Sequence, residues 1–222
     1  MFQRIFVVTE GQTETAFVKK VLAFYYPEKI FIPVEIETKV DKRLGRMYKG
    51  GISNFEKIRN TLLKVLNTAS KDNSSYVTTM FDFYGLPKDT PCIGELKKYN
   101  DPYKKVEFLE NVISREFSSG RNFFPYIQLH EFESLLYADL DKLQSECFDV
   151  DISGLKDEVK DFSNPELINN GVETAPSKRI IKYIPSYDKI VNGINAVQEI
   201  GIDVLCKRCS HFSLWIEKIG KL

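Results

Sequence analysis

Strand-like and helix-like segments alternate along the first two-thirds of the chain, and this alternation restricts the fold more than any other feature of the sequence. The strand-like segments are short apolar runs at residues 5–8, 30–38, 76–81 and 123–129. The helix-like segments repeat apolar residues at helical spacing over residues 13–25, 53–66 and 104–117. Strands that alternate with helices form mainly parallel sheets with helices on both faces. The alternation therefore predicts an α/β fold.

Three local signals refine this prediction. Pro33 places the second strand at or near an edge of the sheet, because proline lacks the amide hydrogen that a central strand needs. Ser53 and Glu56 have the spacing of a capping box, which predicts a helix start at Ser53. The segment HEFESLLYADL, residues 130–140, directly follows the fourth strand and is predicted to be a helix.

The pattern changes beyond residue 141. Residues 149–161 are acidic and loosely periodic, and the remainder offers short helical pieces at 165–169, 177–184, 195–200 and 209–219. We therefore predict an α/β domain over residues 1–140 and a helical C-terminal extension over residues 141–222, packed on that domain.

The charge balance gives no global attraction to nucleic acid. Lys plus Arg and Asp plus Glu both number 31, so the net charge is +0. A nucleic-acid partner would have to be held by a local basic patch or by another subunit. The longest apolar runs are too short to span a bilayer, and the N-terminus lacks a signal-peptide pattern. We therefore expect a cytoplasmic protein with no membrane partner.

Carboxylates follow the strand-like segments at the points where these end. Glu10, which precedes a glycine, follows the first strand, and Asp82 follows the third. Glu131 and Glu133 follow the fourth, and Glu14 lies one helical turn beyond Glu10. The carboxyl ends of parallel strands share one edge of a sheet, where open α/β folds gather their ligands. Hard oxygen ligands suit Mg²⁺ or Mn²⁺ and favour phosphodiester chemistry, so we expect a metal site there.

Several of these residues also have structural interpretations. Glu14 can simply favour the positive end of the first helix, and Asp82 can be a turn residue before Gly85. His130 is either an acid–base group or a residue that caps a helix or borders the core. Glu10 is the position that packing explains least, because an acid directly after a buried strand has no packing role.

Basic residues offer a weaker signal for phosphate binding. Lys178 and Arg179 follow Pro176 at a predicted helix start, where backbone amides attract anions. Lys49 lies in a basic stretch and directly precedes two glycines. The alternative for each is a solvated charge at the surface. Aromatic residues near the strand ends, such as Tyr84, can stack on nucleic-acid bases or pack in the core.

The cysteines indicate packing more than metal binding. Cys206 and Cys209 form a CxxC pair with His211 just beyond, which is half of a zinc site or a redox pair. A structural zinc normally needs two such halves, and the other two cysteines, Cys92 and Cys147, are isolated in sequence. We therefore favour thiols packed on or near a helix.

These motifs resemble a known fold. A Glu-Gly after the first strand and an Asp after a later strand are similar to the Toprim fold of topoisomerases, primases and nucleases of the overcoming-lysogenization-defect type. More closely, the chain resembles a bacterial family of uncharacterised Toprim-like proteins, in EGQTE, FDFYGLP, PYIQLHEFESLLYAD, NPELIN, APSKR and the terminal CxxCxHFxxW. The resemblance implies a Toprim-like first domain with a metal-dependent nuclease site. Glu10 matches the Toprim glutamate, Glu14 the second acid of the nuclease branch, and Asp82 the first Asp of the usual DxD pair.

The chain departs from the family pattern at one expected metal ligand. Tyr84 stands at the position of the second Asp, so Glu131 or Glu133 is expected to take its place. Members of the family are often found beside an ATPase of the AAA or chromosome-maintenance type. This association implies a defence system against phage or plasmids.

Three functional hypotheses follow. The leading one is a Mg²⁺- or Mn²⁺-dependent nuclease subunit acting on DNA or RNA, and a homo-oligomer is compatible with it. The first alternative is a non-catalytic, Toprim-like interaction or sensor subunit that regulates an ATPase. The second is phosphoryl transfer to a nucleotide. In the leading hypothesis, Glu10 and Asp82 bind metal with Glu131 or Glu133, Glu14 and Glu133 assist catalysis, and Lys178, Arg179 and Lys49 bind phosphate.

Overall fold

A parallel sheet of five strands forms the centre of the described part of the chain, which in this computed structural model comprises residues 2–36, 52–117, 122–169 and 171–222. Its order is β2-β1-β3-β4, and a short β5 also pairs with β3. Every pairing among these strands is parallel. The strands are β1 (Gln3–Thr9), β2 (Lys29–Glu35), β3 (Ser75–Asp82), β4 (Phe123–Phe124) and β5 (Ile127–Gln128).

The edge position that Pro33 predicts for β2 is confirmed. Pro33 pairs in register with Val7 of β1, and β2 ends the strand order. The single strand predicted over residues 123–129 is instead divided into β4 and β5. The division falls at Pro125 and Tyr126, because proline has no amide hydrogen and the amide of Tyr126 donates to Oγ1 of Thr79, at 2.8 Å.

Helices flank the sheet. The first runs from Gln12 to Tyr25 with a π-helical turn at its centre, between α1 and α2. The α-helices are α1 (Gln12–Phe17), α2 (Ala23–Tyr25), α3 (Phe55–Ala69), α4 (Pro102–Glu116), α5 (Leu140–Glu146), α6 (Ser153–Val159), α7 (Pro176–Tyr183), α8 (Ile194–Ile200), α9 (Ile202–Arg208) and α10 (Ser210–Gly220).

Two helix predictions need correction. The prediction that the helix starts with a capping box at Ser53 is wrong. Asn54 caps α3 by accepting the amide hydrogen of Lys57 at 3.2 Å. The helix predicted over residues 130–140 is a 3-10 helix, Phe132–Ala138, and α5 follows it. His130 has a left-handed backbone conformation, with φ of 59°, and the chain turns there before the 3-10 helix begins.

The sheet separates two apolar cores. In β1, the side chains of Ile5 and Val7 pack into the first core, while Val8 packs into the second. The first core also contains most of the buried side chains from α5 to α10, and the second contains those of α3 and α4. The chain is thus an α/β protein with a mainly parallel sheet flanked by helices. The domain boundary at residue 140 stays a prediction.

Candidate functional site

The carboxylate of Glu10 lies against the loop that follows β3. Glu10 is the first residue after β1, and its Oε2 accepts a hydrogen bond from the amide of Asp82, at 3.4 Å. A Cβ atom at Gly85 would overlap both carboxylate oxygens of Glu10. Because only glycine lacks that atom, Gly85 lets the two strand ends approach each other. Burial raises the pKa of Glu10, while the amide of Asp82 and the charge of Lys189 oppose this rise.

Asp82 and Glu14 add two carboxylates to this edge of the sheet. Oδ1 of Asp82 is cut off from solvent and has no hydrogen-bond partner among the described residues. Burial raises the pKa of Asp82 well above its ordinary value, and the charges of Glu14 and Glu10 raise it further. Glu14 is buried in α1, where Oε2 accepts the amide hydrogen of Gly11 at 2.9 Å. Burial raises the pKa of Glu14 to about 7, with a contribution from the charge of Glu10.

Glu133 is the fourth carboxylate, and it is completely buried. The 3-10 helix turns it inward, where Oε1 lies 2.8 Å from Nζ of Lys189, whose side chain is partly exposed. Burial raises the pKa of Glu133, and Lys189 opposes the rise. Burial alone would lower the pKa of Lys189, but the charge and hydrogen bond of Glu133 raise it. Sequence reasoning missed Lys189, because nothing around it in the sequence distinguishes it from a surface lysine.

Glu131 is directed elsewhere. Its Oε2 accepts the amide hydrogen of Ser177 at 2.9 Å, in the first turn of α7. Its negative charge still raises the pKa of Glu10 and of Glu133, so it lies near the other acids. Of the two glutamates that the sequence offered as a third metal ligand, Glu133 is therefore the one that points into the acidic cluster. We use this term for Glu10, Glu14, Asp82 and Glu133.

The acidic cluster matches some requirements of a hard divalent cation. All its donors are carboxylate oxygens, which Mg²⁺ and Mn²⁺ prefer, and Oδ1 of Asp82 and Oε2 of Glu133 have no partner among the described residues. The charges of the four carboxylates act on one another, and Lys189 offsets those of Glu10, Asp82 and Glu133, so a cation would reduce the remaining repulsion. Within the described ranges, however, no three His, Cys, Asp or Glu side chains are arranged so that they could hold a metal ion as they stand.

Tyr84 and His130 lie beside the acidic cluster. The amide of Tyr84 donates to the carbonyl oxygen of His130 at 3.1 Å, and the two ring centroids are 5.2 Å apart. The hydroxyl group of Tyr84 contacts Nδ2 of Asn169. Burial lowers the pKa of His130 to about 4, so its ring is neutral at neutral pH. Nδ1 of His130 is buried with no partner in the part of the chain that the structure describes.

The predicted phosphate-binding residues have different surroundings. Lys178 is exposed on α7, as phosphate binding would require. Arg179 is buried, and its guanidinium group bonds to Glu158 and, at 2.9 Å, to the carbonyl oxygen of Thr174. These bonds direct its charge toward the interior of the protein. Lys49 lies outside the described residues.

A second buried polar cluster occupies the C-terminal part of the chain. Glu166, which is completely buried, accepts the amide hydrogens of His211 at 3.0 Å and Phe212 at 2.9 Å, together with the hydroxyl hydrogen of Tyr103 at 3.1 Å. Nε2 of His211 lies 2.9 Å from Oε1 of Glu110 in α4. The cluster therefore ties the start of α10 to α4. Sequence reasoning did not single out Glu166, although it lies in the NPELIN segment.

The two thiols of the CxxC pair are packed as the sequence favours. Cys209 is completely buried, and burial raises its pKa well above the ordinary value. Burial also raises the pKa of Cys206. Burial therefore favours the neutral form of both thiols over the thiolate, which is the nucleophile and the metal ligand.

The fold and this site define an α/β protein with a mainly parallel sheet and a partly buried acidic cluster at the carboxyl edge of that sheet. The model of the domain of unknown function DUF4276 matches residues 9–220, so the chain belongs to that family. No curated protein and no solved structure matches it significantly. Among the described residues, none of the helices has both the length and the apolar composition needed to cross a membrane.

Proposed function

We propose that this protein is a Mg²⁺- or Mn²⁺-dependent nuclease subunit of Toprim-like fold that cleaves phosphodiester bonds in DNA or RNA. One observation carries the proposal. Glu10, Glu14, Asp82 and Glu133 come from three separate segments that follow or close a strand, and they bring their buried or half-buried carboxylates together, with Lys189 close to three of them. A concentration of buried negative charge is costly for stability, and such costs are typical of functional sites.

In this proposal Glu10 and Asp82 would hold the metal, with Glu133 as a third ligand. Their oxygen donors fit a hard cation, and two of the oxygens have no other partner. When bound, the metal would polarise a phosphoryl oxygen and lower the pKa of a bound water. Because the side chains are not arranged for an ion as they stand, they must draw together, and Glu133 must release Lys189.

The residues of the chain would then divide the remaining tasks. Glu14, whose pKa of about 7 lies near neutrality, is suited to accept a proton from the attacking water. Lys189, once released by Glu133, offers a positive charge to the phosphate that becomes more negative during the reaction. Lys178, exposed on α7, would steady a neighbouring phosphate group.

The test is cleavage of labelled DNA and RNA by the purified protein in Mg²⁺, in Mn²⁺ and in a chelator. Wild type should cleave DNA or RNA, and only when a metal ion is present. The cleavage rates of Glu10→Gln and Asp82→Asn should each be lower by at least about a thousandfold. Glu35→Gln is the matched control, because Glu35 is an exposed carboxylate at the end of β2, on the same edge of the sheet. Equal inertness of wild type and Glu10→Gln, also in the presence of a partner ATPase, would refute catalysis.

A second candidate function is a non-catalytic sensor or interaction subunit that regulates an ATPase. The pairing of Lys189 with Glu133 favours it, because an internal cation already neutralises one acid, and Tyr84 replaces an expected ligand. This alternative predicts that Glu133→Gln leaves ATPase stimulation unchanged and that wild type has no metal-dependent cleavage. Cleavage that disappears in Asp82→Asn would exclude it.

The biological setting is proposed from the resemblance to a family found beside ATPases of the AAA or chromosome-maintenance type. We propose a cytoplasmic anti-phage or anti-plasmid system. Plaque counts on bacteria that express wild type or Glu10→Gln with the ATPase test this setting. Equal plaque counts for the two variants would contradict it.

A further inference from the structure

Tyr84 is an exposed aromatic residue at the rim of the acidic cluster. Its relative exposure is 43%, although it follows β3 by only two residues. The next residue, Gly85, has its backbone against the carboxylate of Glu10. Tyr84 therefore lies in the loop that contacts Glu10, one residue from that contact, and the proposed reaction depends most on Glu10.

Contacts on several sides hold this ring in place. Its backbone amide is bonded to the carbonyl oxygen of His130, and its ring packs on the ring of His130 with the centroids 5.2 Å apart. His130 adopts its left-handed conformation, with φ of 59°, which a non-glycine residue takes at a cost. The hydroxyl group contacts Asn169. An exposed ring that is fixed in advance loses little freedom when a flat ligand stacks on it.

The flat ligand that fits the setting is an unpaired nucleobase. Aromatic side chains bind single strands by stacking on base faces, whereas in a duplex these faces are covered by neighbouring base pairs. Binding to a duplex depends instead on many cations that contact phosphates. The chain has a net charge of +0, so it is poorly equipped for that mode.

We propose that Tyr84 is a stacking platform that makes the site selective for single-stranded nucleic acid, with one unpaired base on its ring and the adjoining phosphate facing the acidic cluster. This inference rests on the proposed nuclease function and specifies its substrate. In this proposal Tyr84, which stands at the position of the second Asp of the Toprim pattern, recognises the substrate.

Fluorescence anisotropy tests the proposal with labelled single strands of DNA and RNA, each about 12 nucleotides long, and with the matching duplexes. Ca²⁺ replaces Mg²⁺ so that binding is measured without cleavage. A 2-aminopurine base in the strand reports stacking through the quenching of its fluorescence. The variants are Tyr84→Phe, which keeps the aromatic ring, and Tyr84→Leu, which replaces the ring with an apolar side chain that cannot stack. Tyr25→Leu is the matched control, because Tyr25 is a 39% exposed tyrosine whose hydroxyl group bonds to Asp203, in α9.

We expect wild type, Tyr84→Phe and Tyr25→Leu to bind the single strand at least about tenfold more tightly than the duplex and to quench the 2-aminopurine. Tyr84→Leu should lose about tenfold in affinity for the single strand, together with the quenching. Equal loss in Tyr84→Phe and Tyr84→Leu would overturn the proposal, since the hydroxyl bond to Asn169 would then be what matters. Equal affinity of wild type for duplex and single strand would also overturn it.

Failure of this proposal is distinguishable from failure of the nuclease function. Metal-dependent cleavage with no effect of Tyr84→Leu on strand preference would overturn the stacking platform alone. Ring-dependent binding of single strands without cleavage would overturn the nuclease function and support the platform. If neither metal-dependent cleavage nor ring-dependent binding of single strands is observed, both the nuclease function and the stacking platform are overturned.

Discussion

Oε1 of the buried Glu133 lies 2.8 Å from Nζ of Lys189, and this ion pair joins the acidic cluster to the turn that precedes α8. The two residues are far apart in sequence. Glu133 comes from the 3-10 helix that follows β5, and Lys189 from a π-helical turn. The pair partly balances the negative charge of the acidic cluster.

Replacement of Lys189 by methionine should strengthen binding of a divalent cation. The substitution frees Oε1 of Glu133 and removes a competing positive charge, so we expect about tenfold tighter binding of Mn²⁺, measured by isothermal titration calorimetry. Without metal, the same variant should be less stable by about 3 kcal/mol, because it leaves a buried carboxylate unpaired. Added Mn²⁺ should restore that loss.

Lys182→Met is the control for this experiment. Lys182 also pairs with a glutamate, Glu158, but on the exposed side of α7. The Lys182→Met substitution should leave Mn²⁺ affinity unchanged and should change the free energy of unfolding by no more than about 1 kcal/mol. Unchanged or weaker Mn²⁺ binding by Lys189→Met would contradict competition between the lysine and the metal.

The stability of the metal-free protein should decrease as the pH rises toward neutrality. Folding raises the pKa of Glu14 from 4.5 to about 7, so between these values the folded state keeps a proton that the unfolded chain releases. The free energy of unfolding should therefore fall across this range, by about 3 kcal/mol at most, and show no further effect of Glu14 above it. Below pH 4.5, Glu14 is protonated in both the folded and the unfolded state, so it does not make the free energy of unfolding depend on pH.

Urea unfolding in a chelator at about pH 5 and about pH 8 measures this dependence. Glu14→Gln should reduce the difference between the two values, because glutamine does not titrate, whereas Glu35→Gln should leave it unchanged. If Glu14→Gln and wild type lose the same stability between the two pH values, Glu14 is not a source of the dependence.

Gly85→Ala should disrupt the approach of the two strand ends. The added methyl group would overlap the carboxylate of Glu10, so the side chain or the loop must move, at a cost of about 1–3 kcal/mol in stability and with loss of Mn²⁺ affinity. Gly94→Ala is the matched control, since a Cβ atom there meets no atom within 4 Å. Thermal unfolding and calorimetry compare the two variants, and equal behaviour would show that Gly85 is not needed for close approach.

Glu166→Gln should destabilise the fold without affecting metal binding. The amide of Phe212 donates to Oε1 of Glu166, whereas the amide of His211 and the hydroxyl group of Tyr103 donate to Oε2. Glutamine has only one acceptor oxygen, so in either orientation its NH₂ group faces a backbone N–H and at least one of these bonds is lost. We expect a loss of about 2–4 kcal/mol in urea unfolding. The control is Glu173→Gln, at an exposed position. A stability equal to that of wild type would show that the charge of Glu166 contributes nothing.

The sequence was informative about the site wherever the acids follow strands. Glu10 and Asp82 could be placed at one edge because strand ends in a parallel sheet share it, and β1 and β3 are neighbours in the structure. The choice between Glu131 and Glu133 could not be made, because it depends on the left-handed turn at His130 and the 3-10 helix after it. No local pattern predicts either feature.

Long-range partners were the other part that could not be predicted. Lys189 and Glu166 acquire their roles only when the C-terminal helices pack on the sheet, through contacts that no short motif encodes. Arg179 shows the converse. Its sequence context indicated phosphate binding, whereas the side chain is buried and bonded to Glu158, because its helix turns this face toward α6.

The pairing of Glu133 with Lys189 also has a consequence for the order of events during synthesis. A ribosome releases Glu10, Asp82 and Glu133 well before residue 189 of the 222. Trp215, which donates from Nε1 to Oγ1 of Thr78 in β3 at 2.9 Å, emerges later still. The acids of the nascent chain are therefore synthesised without their lysine, and the pairing of Glu133 with Lys189 can form only after residue 189 has left the ribosome.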